Sequence, residues 1–235
     1  MRHLVKTAAL CTLTLVLVSA GNTAPRPGRA KLRLSPEMFD FGYIPQGLKV
    51  ANRYWLANDG LDTLVVATVK PQCGCTTAPL TRDRVAPKDS VPLDVLFDSK
   101  NINGVVNKKV TVVSNSSTGD SISLYFTGRV DDKDSIVNLQ PRVALFTEID
   151  KLKEIIKLTN LSHGEFKVRL AAPPPGYFTC ELSNTTLAAG GSLDVTLTRG
   201  KGTPVGQYET SITLLLDAPV PHPVSIPIKG LGYME

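Results

Sequence analysis

The sequence predicts an all-β protein, two tandem β-sandwich domains behind an N-terminal export signal. Three observations carry this. Apolar residues recur at every second position in short runs, the second half of the chain repeats the order of the first, and the first twenty residues have a secretory layout.

The export signal comes first in the chain. Met1, Arg2, His3 and Lys6 open it, an apolar run extends from Thr7 to Val18, and Val18-Ser19-Ala20 supplies small residues for cleavage. That run falls short of the ~20 residues that span a bilayer, and no later stretch approaches that length. The expected mature protein is therefore soluble and exported, to the periplasm or to another part of the cell envelope or surface. Cys11 ends Ala8-Ala9-Leu10-Cys11, a loose lipobox, but bulky Leu10 precedes it and most of the apolar run comes after it, which argues against lipidation. The formal charge is +5, and loss of Arg2 and Lys6 with residues 1–20, which hold no acid, leaves +3 (5 minus 2). Arg26, Arg29, Lys31 and Arg33 form the basic cluster, in a Pro/Gly-containing stretch over residues 21–36 that reads as a solvated linker and not as a nucleic-acid face.

The rest suits two domains of about 100 residues each. Ile122, Leu124 and Phe126 alternate with Ser121, Ser123 and Thr127, and Leu193, Val195 and Leu197 alternate with Ser192, Asp194 and Thr196. Such a period of two marks half-buried strands. Further strands are expected at Arg53 to Ala57, Leu64 to Val69, Val91 to Phe97 and Val105 to Ser114, then at Ile155 to Thr159, Phe166 to Ala171, Tyr208 to Leu216 and Val224 to Lys229. Asp150 to Leu158 could be a helix by spacing, but Ile155-Ile156 with Leu158-Thr159 favours a strand. At an offset of 102 to 103 residues Asn58 falls on Asn160, Ala86-Pro87 on Ala189-Gly190, Gly104 on Gly206 and Gly128 on Gly230. The two halves are thus copies of one unit. About seven short strands per hundred residues indicate an immunoglobulin-like Greek-key sandwich. The domains are placed at residues 37–130 and 136–235, with acidic residues 131–135 between them.

The first half contains, in order, Phe39-Asp40-Phe41-Gly42, Ile44, Gly47, Leu56-Ala57-Asn58-Asp59-Gly60, Cys73-Gly74-Cys75-Thr76, Ala86-Pro87, Phe97-Asp98, Gly104 and Ser114-Asn115. This pattern closely resembles the bacterial domain-of-unknown-function 1573 family, which is similar to the immunoglobulin-like modules of the major sperm protein, abnormal-spindle and Hydin type. The resemblance covers roughly residues 37 to 130. It implies the fold and an export route, and supplies no activity. The second half keeps the strand rhythm without FDFG or CGCT, as a divergent relative would.

Cleavage leaves Cys73, Cys75 and Cys180, an odd number, so at least one thiol is free or paired outside the chain. Cys73 and Cys75 share a loop in which Gly74 is expected to permit the bend and Thr76 to support it. A bridge across one residue closes a small ring and should reduce readily. Cys180 projects close to the Cys75 position of the repeat, so in an end-to-end tandem the two loops would lie a domain length apart, ~35 Å from the usual domain radius. Three readings of the loop stay open: a structural loop with buried or locally joined thiols, a redox site, or a soft-metal site. Zinc would want four ligands, and the histidines left, His163 and His222, are both in the other half. Copper(I) could accept the two thiolates.

Other constellations are weaker. His163 and His222 read as loop residues, with no nucleophile and acid assembled around either. Asp131, Asp132 and Asp134 are a candidate calcium cluster at the domain junction, although calcium wants six to eight oxygens and Lys133 stands among the three acids. Asn115-Ser116-Ser117, Asn160-Leu161-Ser162 and Asn184-Thr185-Thr186 fit the glycosylation sequon, which matters only in a eukaryotic source. The expected function is a non-catalytic envelope module that binds another envelope protein or a surface polymer, with no nucleic acid and no resident cofactor. The alternative is a thiol-redox or soft-metal accessory protein working through Cys73 and Cys75. A pilus-chaperone-like binder, with Arg129 and Lys133 near the interdomain cleft, is the minor one.

Overall fold

Alternating apolar and polar residues put one face of each strand into a core, and the computed structural model shows where those faces meet. It describes residues 30–131, 136–217 and 221–234. The export signal, residues 21–29, and Asp132, Lys133 and Asp134 lie outside the described residues.

The first half forms β1 (Leu32–Ser35), β2 (Met38–Ile44), β3 (Lys49–Asn58), β4 (Leu64–Pro71), β5 (Thr76–Thr77), β6 (Arg84–Val85), β7 (Ser90–Asp98), β8 (Gly104–Ser114) and β9 (Ser121–Val130). The second forms β10 (Val137–Gln140), β11 (Ala144–Phe146), β12 (Lys153–Asn160), β13 (Phe166–Leu170), β14 (Phe178–Leu182), β15 (Thr186–Leu187), β16 (Ser192–Arg199), β17 (Gly206–Asp217) and β18 (His222–Gly232). One sheet of the first half runs β1-β3-β7-β5, and its counterpart runs β10-β12-β16-β14 in the same order. The protein is all-β, two tandem immunoglobulin-like sandwiches.

Two separate cores result. One gathers Phe41, Tyr54, Leu56, Leu93, Phe97, Leu124 and Phe126; the other gathers Phe146, Ile156, Leu158, Phe178, Val195, Leu214 and Ile226. Asp150 to Leu158 includes the start of a strand and no helix.

Two expectations need correction. β1 lies inside the stretch expected to be linker: Leu32 and Leu34 are buried and pair with β3, while Arg33 and Ser35 face out. The basic residues Lys31 and Arg33 disguise a period-two strand as a charged tail. His222 opens β18 opposite Leu216 and is not a loop residue.

Of the two arrangements open to the tandem, the structure adopts the folded-back one and not the end-to-end one. The remaining sheets of the two halves fuse into one, in the order β15-β13-β17-β18-β2-β9-β8-β4-β6. The joint is the antiparallel pair Val224↔Gly42 between β18 and β2. β2 bulges between Asp40 and Tyr43, and Gly42 takes φ +63 with a place for a Cβ only 1.6 Å from the Pro223 carbonyl oxygen. Only glycine fits both the conformation and the approach.

Candidate functional site

The contact between the sandwiches is made by small polar side chains. On β17 and β18 the even-numbered residues Ile212, Leu214, Val224 and Ile226 enter the second core, and Ser211, Thr213 and Ser225 are buried as well. Period two puts these hydroxyls on the opposite face, toward the first sandwich. Ala51 N donates to Ser211 Oγ at 2.8 Å, and that hydroxyl donates to Ala51 O at 3.0 Å. Ser225 Oγ donates to Phe41 O at 2.8 Å and lies 2.7 Å from Thr213 Oγ1. Glu209 stands between Lys49 of the first sandwich and Lys229 of the second, 3.6 Å from the latter.

Beside this contact opens a cleft of about 470 Å³. Its first wall is the outer face of β3 and β7, carrying Arg53, Trp55 and Asp94, extended by Thr77 and Pro79 just beyond the cysteine loop. Its second wall is Pro173, Pro174, Pro175 and Tyr177, with β17 at the base. Trp55 keeps 42% of its surface exposed. Arg53 donates through Nε and Nη2 to the two oxygens of Asp94, at 2.6 and 2.8 Å, and this bidentate pairing raises the guanidinium pKa further. Burial raises the pKa of the Tyr177 phenol, partly offset by a hydrogen bond with Thr210, so the cleft presents a neutral hydroxyl. Aromatic and proline surface with a few polar groups, at a domain junction, is the usual character of a ligand pocket.

The residues singled out from the sequence lie around this cleft or apart from it. Cys73 and Cys75 are joined in a disulfide with Cα atoms 5.3 Å apart, and Cys180 is free. Thr76 is buried, its hydroxyl 3.7 and 3.9 Å from the two sulfurs. Gly74 is exposed, has no positive φ, and has nothing within 4 Å of where a Cβ would stand, so the bend does not depend on glycine there. With the sulfurs joined, a soft metal could be held only after reduction. Asp131 lies just after β9 with φ +54, and Asp132 and Asp134 lie outside the described residues. Among the described residues no three His, Cys, Asp or Glu side chains converge as metal ligands. Arg129 is exposed on β9, away from the cleft lining. Trp55, Arg53, Asp94 and Tyr177 escaped the sequence reading, because each lies on the outward face of its strand or in a loop, where period two gives only polarity.

The family-like residues of the first half prove to be structural punctuation. Asp40 Oδ1 accepts from Gly42 N at 2.7 Å, holding the bulge. Phe41 stacks on Phe97 with centroids 5.5 Å apart and lies over Gly128, where a Cβ would come within 2.1 Å of its ring. Asn58 and Asn160 each tie a strand end to the next turn.

These features define a tandem immunoglobulin-like protein with an interdomain cleft. Residues 32–130, the span of the first sandwich, match the family model described as "Protein of unknown function (DUF1573)". No curated protein matches the chain significantly. Among solved structures it is similar to a protein of unknown function from Porphyromonas gingivalis, 14% identical, covering 86% of this chain and 99% of that one with a TM-score of 0.35. The YadV chaperone is 13% identical over 84% of this chain and 99% of its own, TM-score 0.34. The Escherichia coli chaperone DraB is 10% identical over 86% and 99%, TM-score 0.34. Similarities this distant carry no argument about what the chain binds.

Proposed function

We propose that this protein is a non-catalytic binding module of the cell envelope that takes an extended, uncharged segment of another envelope protein into the cleft between its sandwiches. The observation that carries the reading is the cleft itself: 470 Å³ walled by Trp55, Tyr177 and three consecutive prolines, with its arginine already neutralised by Asp94. Trp and Tyr are the side chains that most often anchor a partner segment in a pocket. A carboxylate-clamping binder of the pilus-chaperone kind would need a free cation here. Among the described lining residues Arg53 is the one cation, and Asp94 occupies both arms of its fork.

Export is supported by the charged, apolar and small-residue order of residues 1–20, and by a disulfide, a bond that persists in oxidising compartments. A photoreactive side chain at Thr77 in the native envelope should crosslink one discrete partner, and the same group at exposed Lys157, on the outer face of β12, should not. Equal labelling from both positions would count against the cleft. Because the chain has a single tryptophan, Trp55 emission should shift when the partner segment is added to the purified protein.

A further inference from the structure

We infer that the Cys73–Cys75 disulfide is a redox-reversible latch on one wall of the cleft. The latch rests on the binding reading for what the cleft holds, but not for whether the wall can be released. In each sandwich the chain must cross from one sheet to the other, and both crossings lead to this cleft. In the first, β4 ends at Pro71 and β5 begins at Thr76, so Gln72 to Cys75 make the whole crossing. In the second, β13 ends at Leu170 and β14 begins at Phe178, with Pro173, Pro174 and Pro175 between them.

The two crossings are stiffened differently. Consecutive prolines fix their own φ under any condition. In the first crossing the covalent restraint is the bond between Cys73 and Cys75, which a thiol can open. The chain beyond that bond is held by a short edge pairing and by partial packing, with Thr76 buried and Cys75, Ala78 and Leu80 partly buried against the first core. Cys75 O accepts from Asp98 N at 2.9 Å, Thr76 and Thr77 pair with Phe97 and Leu96, and an isolated bridge joins Leu80 to Leu93. Those hydrogen bonds, with Ala78 and Leu80 against the core, position Thr77 and Pro79 in the cleft wall. A two-residue strand at a sheet edge belongs to the low-stability end of a fold, where local opening is easiest.

The chemistry needs a dithiol as reductant. Its thiolate attacks one sulfur, the Cys73–Cys75 bond breaks, a mixed disulfide forms, and the other cysteine leaves as a thiolate. The second thiol of the reductant then attacks the mixed disulfide, releasing the first cysteine and closing the reductant into its own disulfide. Two electrons and two protons have then passed to Cys73 and Cys75. The ring is approachable, since Gly74 is exposed and both cysteines are only partly buried. Once it opens, the segment from Cys73 to Leu80 keeps its edge hydrogen bonds and the partial packing of Cys75, Ala78 and Leu80 on the first core but loses its covalent restraint, and the wall carrying Thr77 and Pro79 loosens.

Hydrogen exchange on the mature protein tests this without any ligand. The oxidised protein, the dithiothreitol-reduced protein and a Cys73→Ser/Cys75→Ser variant are compared, with thiol state verified by alkylation and mass. The expected result is exchange about tenfold faster or more at Thr76, Thr77 and Leu80 in both opened forms, with Phe178 to Leu182 of the second sandwich unchanged and acrylamide quenching of Trp55 increased. Unchanged protection at Thr76 and Thr77 with the thiols verified free overturns the latch. So does uniform loosening of the whole first sandwich, which would make the bond a general staple. Failure of the Thr77 crosslink, by contrast, sinks the binding reading and leaves this measurement standing.

Discussion

Arg199 is a buried charge whose hydrogen bonds go to main-chain carbonyls. It is 9% exposed; Nη1 donates to Phe146 O and Leu231 O at 3.4 and 3.2 Å, and Nη2 to Glu148 O and Ile149 O at 3.3 and 2.7 Å. The residue thus gathers the end of β11, the turn after it and the end of β18. At the equivalent place in the first sandwich, opposite β5, stands Phe97. Replacing the guanidinium leaves several carbonyls short of donors, so Arg199→Met should cost roughly 3 kcal/mol of second-sandwich stability, read by urea unfolding. Arg199→Lys should recover only part of it, because an ammonium cannot fork across carbonyls on three segments. Cys180 makes a second residue-scale case. Burial, with a smaller push from Glu181, moves its thiol from 9.0 to about 11. At pH 8 its alkylation should run roughly a hundredfold slower than that of an ordinary exposed thiol, and it should accelerate as pH approaches 11. The fold favours the neutral thiol, so this contribution to stability is present below pH 9 and is lost as pH rises through 11.

At the scale of elements, the repeat is most visible in two asparagines. Asn58 Nδ2 donates to Asp62 O and Val85 O at 2.9 and 3.0 Å, and Oδ1 accepts from Gly60 N at 3.0 Å. Asn160 Nδ2 donates to Gly164 O and Leu187 O at 2.7 and 3.2 Å, and Oδ1 accepts from Ser162 N at 2.9 Å. Both are wholly buried. Each sews the end of a central strand to the next turn and to a short edge strand, β6 or β15. Asn58→Ala and Asn160→Ala should each cost about 2–4 kcal/mol, since buried carbonyls and amides lose their partners. Asn→Asp should be no rescue, because a carboxylate would face carbonyl oxygens; equilibrium unfolding of the four variants checks both statements. These positions were legible in the sequence as a matched pair, as were the strands with clean alternation such as β9 and β16. β2 was not read as a strand, because its bulge at Gly42 breaks the period, and β1 was masked by Lys31 and Arg33. The cleft was not legible, since Trp55 and Tyr177 meet only through a domain packing that no local pattern encodes. One trace was available. Ser211, Thr213, Ser225 and Pro227 occupy the outward positions of β17 and β18, where a solvent-facing strand would carry longer charged side chains.

For the whole molecule, the arrangement of the two sandwiches decides whether a cleft exists at all, and it turns on the approach of β2 to β18. The ion pairs of Glu209 with Lys49 and Lys229 are only partly buried and remain open to solvent screening, so they are secondary to the shape match at Gly42 and to the buried hydroxyls. A Cβ at position 42 would stand 1.6 Å from Pro223 O, so Gly42→Ala must push β18 away. The substitution also carries the cost of a side chain at positive φ, and Gly47 separates the two effects. Gly47 has φ +77 with nothing within 4 Å of a Cβ, so Gly47→Ala bears the backbone penalty, on the order of 1 kcal/mol, without any collision. Gly47→Ala should therefore lower first-sandwich stability modestly and leave the scattering radius and Trp55 quenching unchanged. Gly42→Ala should add to a comparable loss an increased radius of gyration in small-angle scattering, greater acrylamide quenching of Trp55, and loss of the Thr77 crosslink. Matching scattering and quenching in the two variants would show that the sandwiches are held together by something other than this contact.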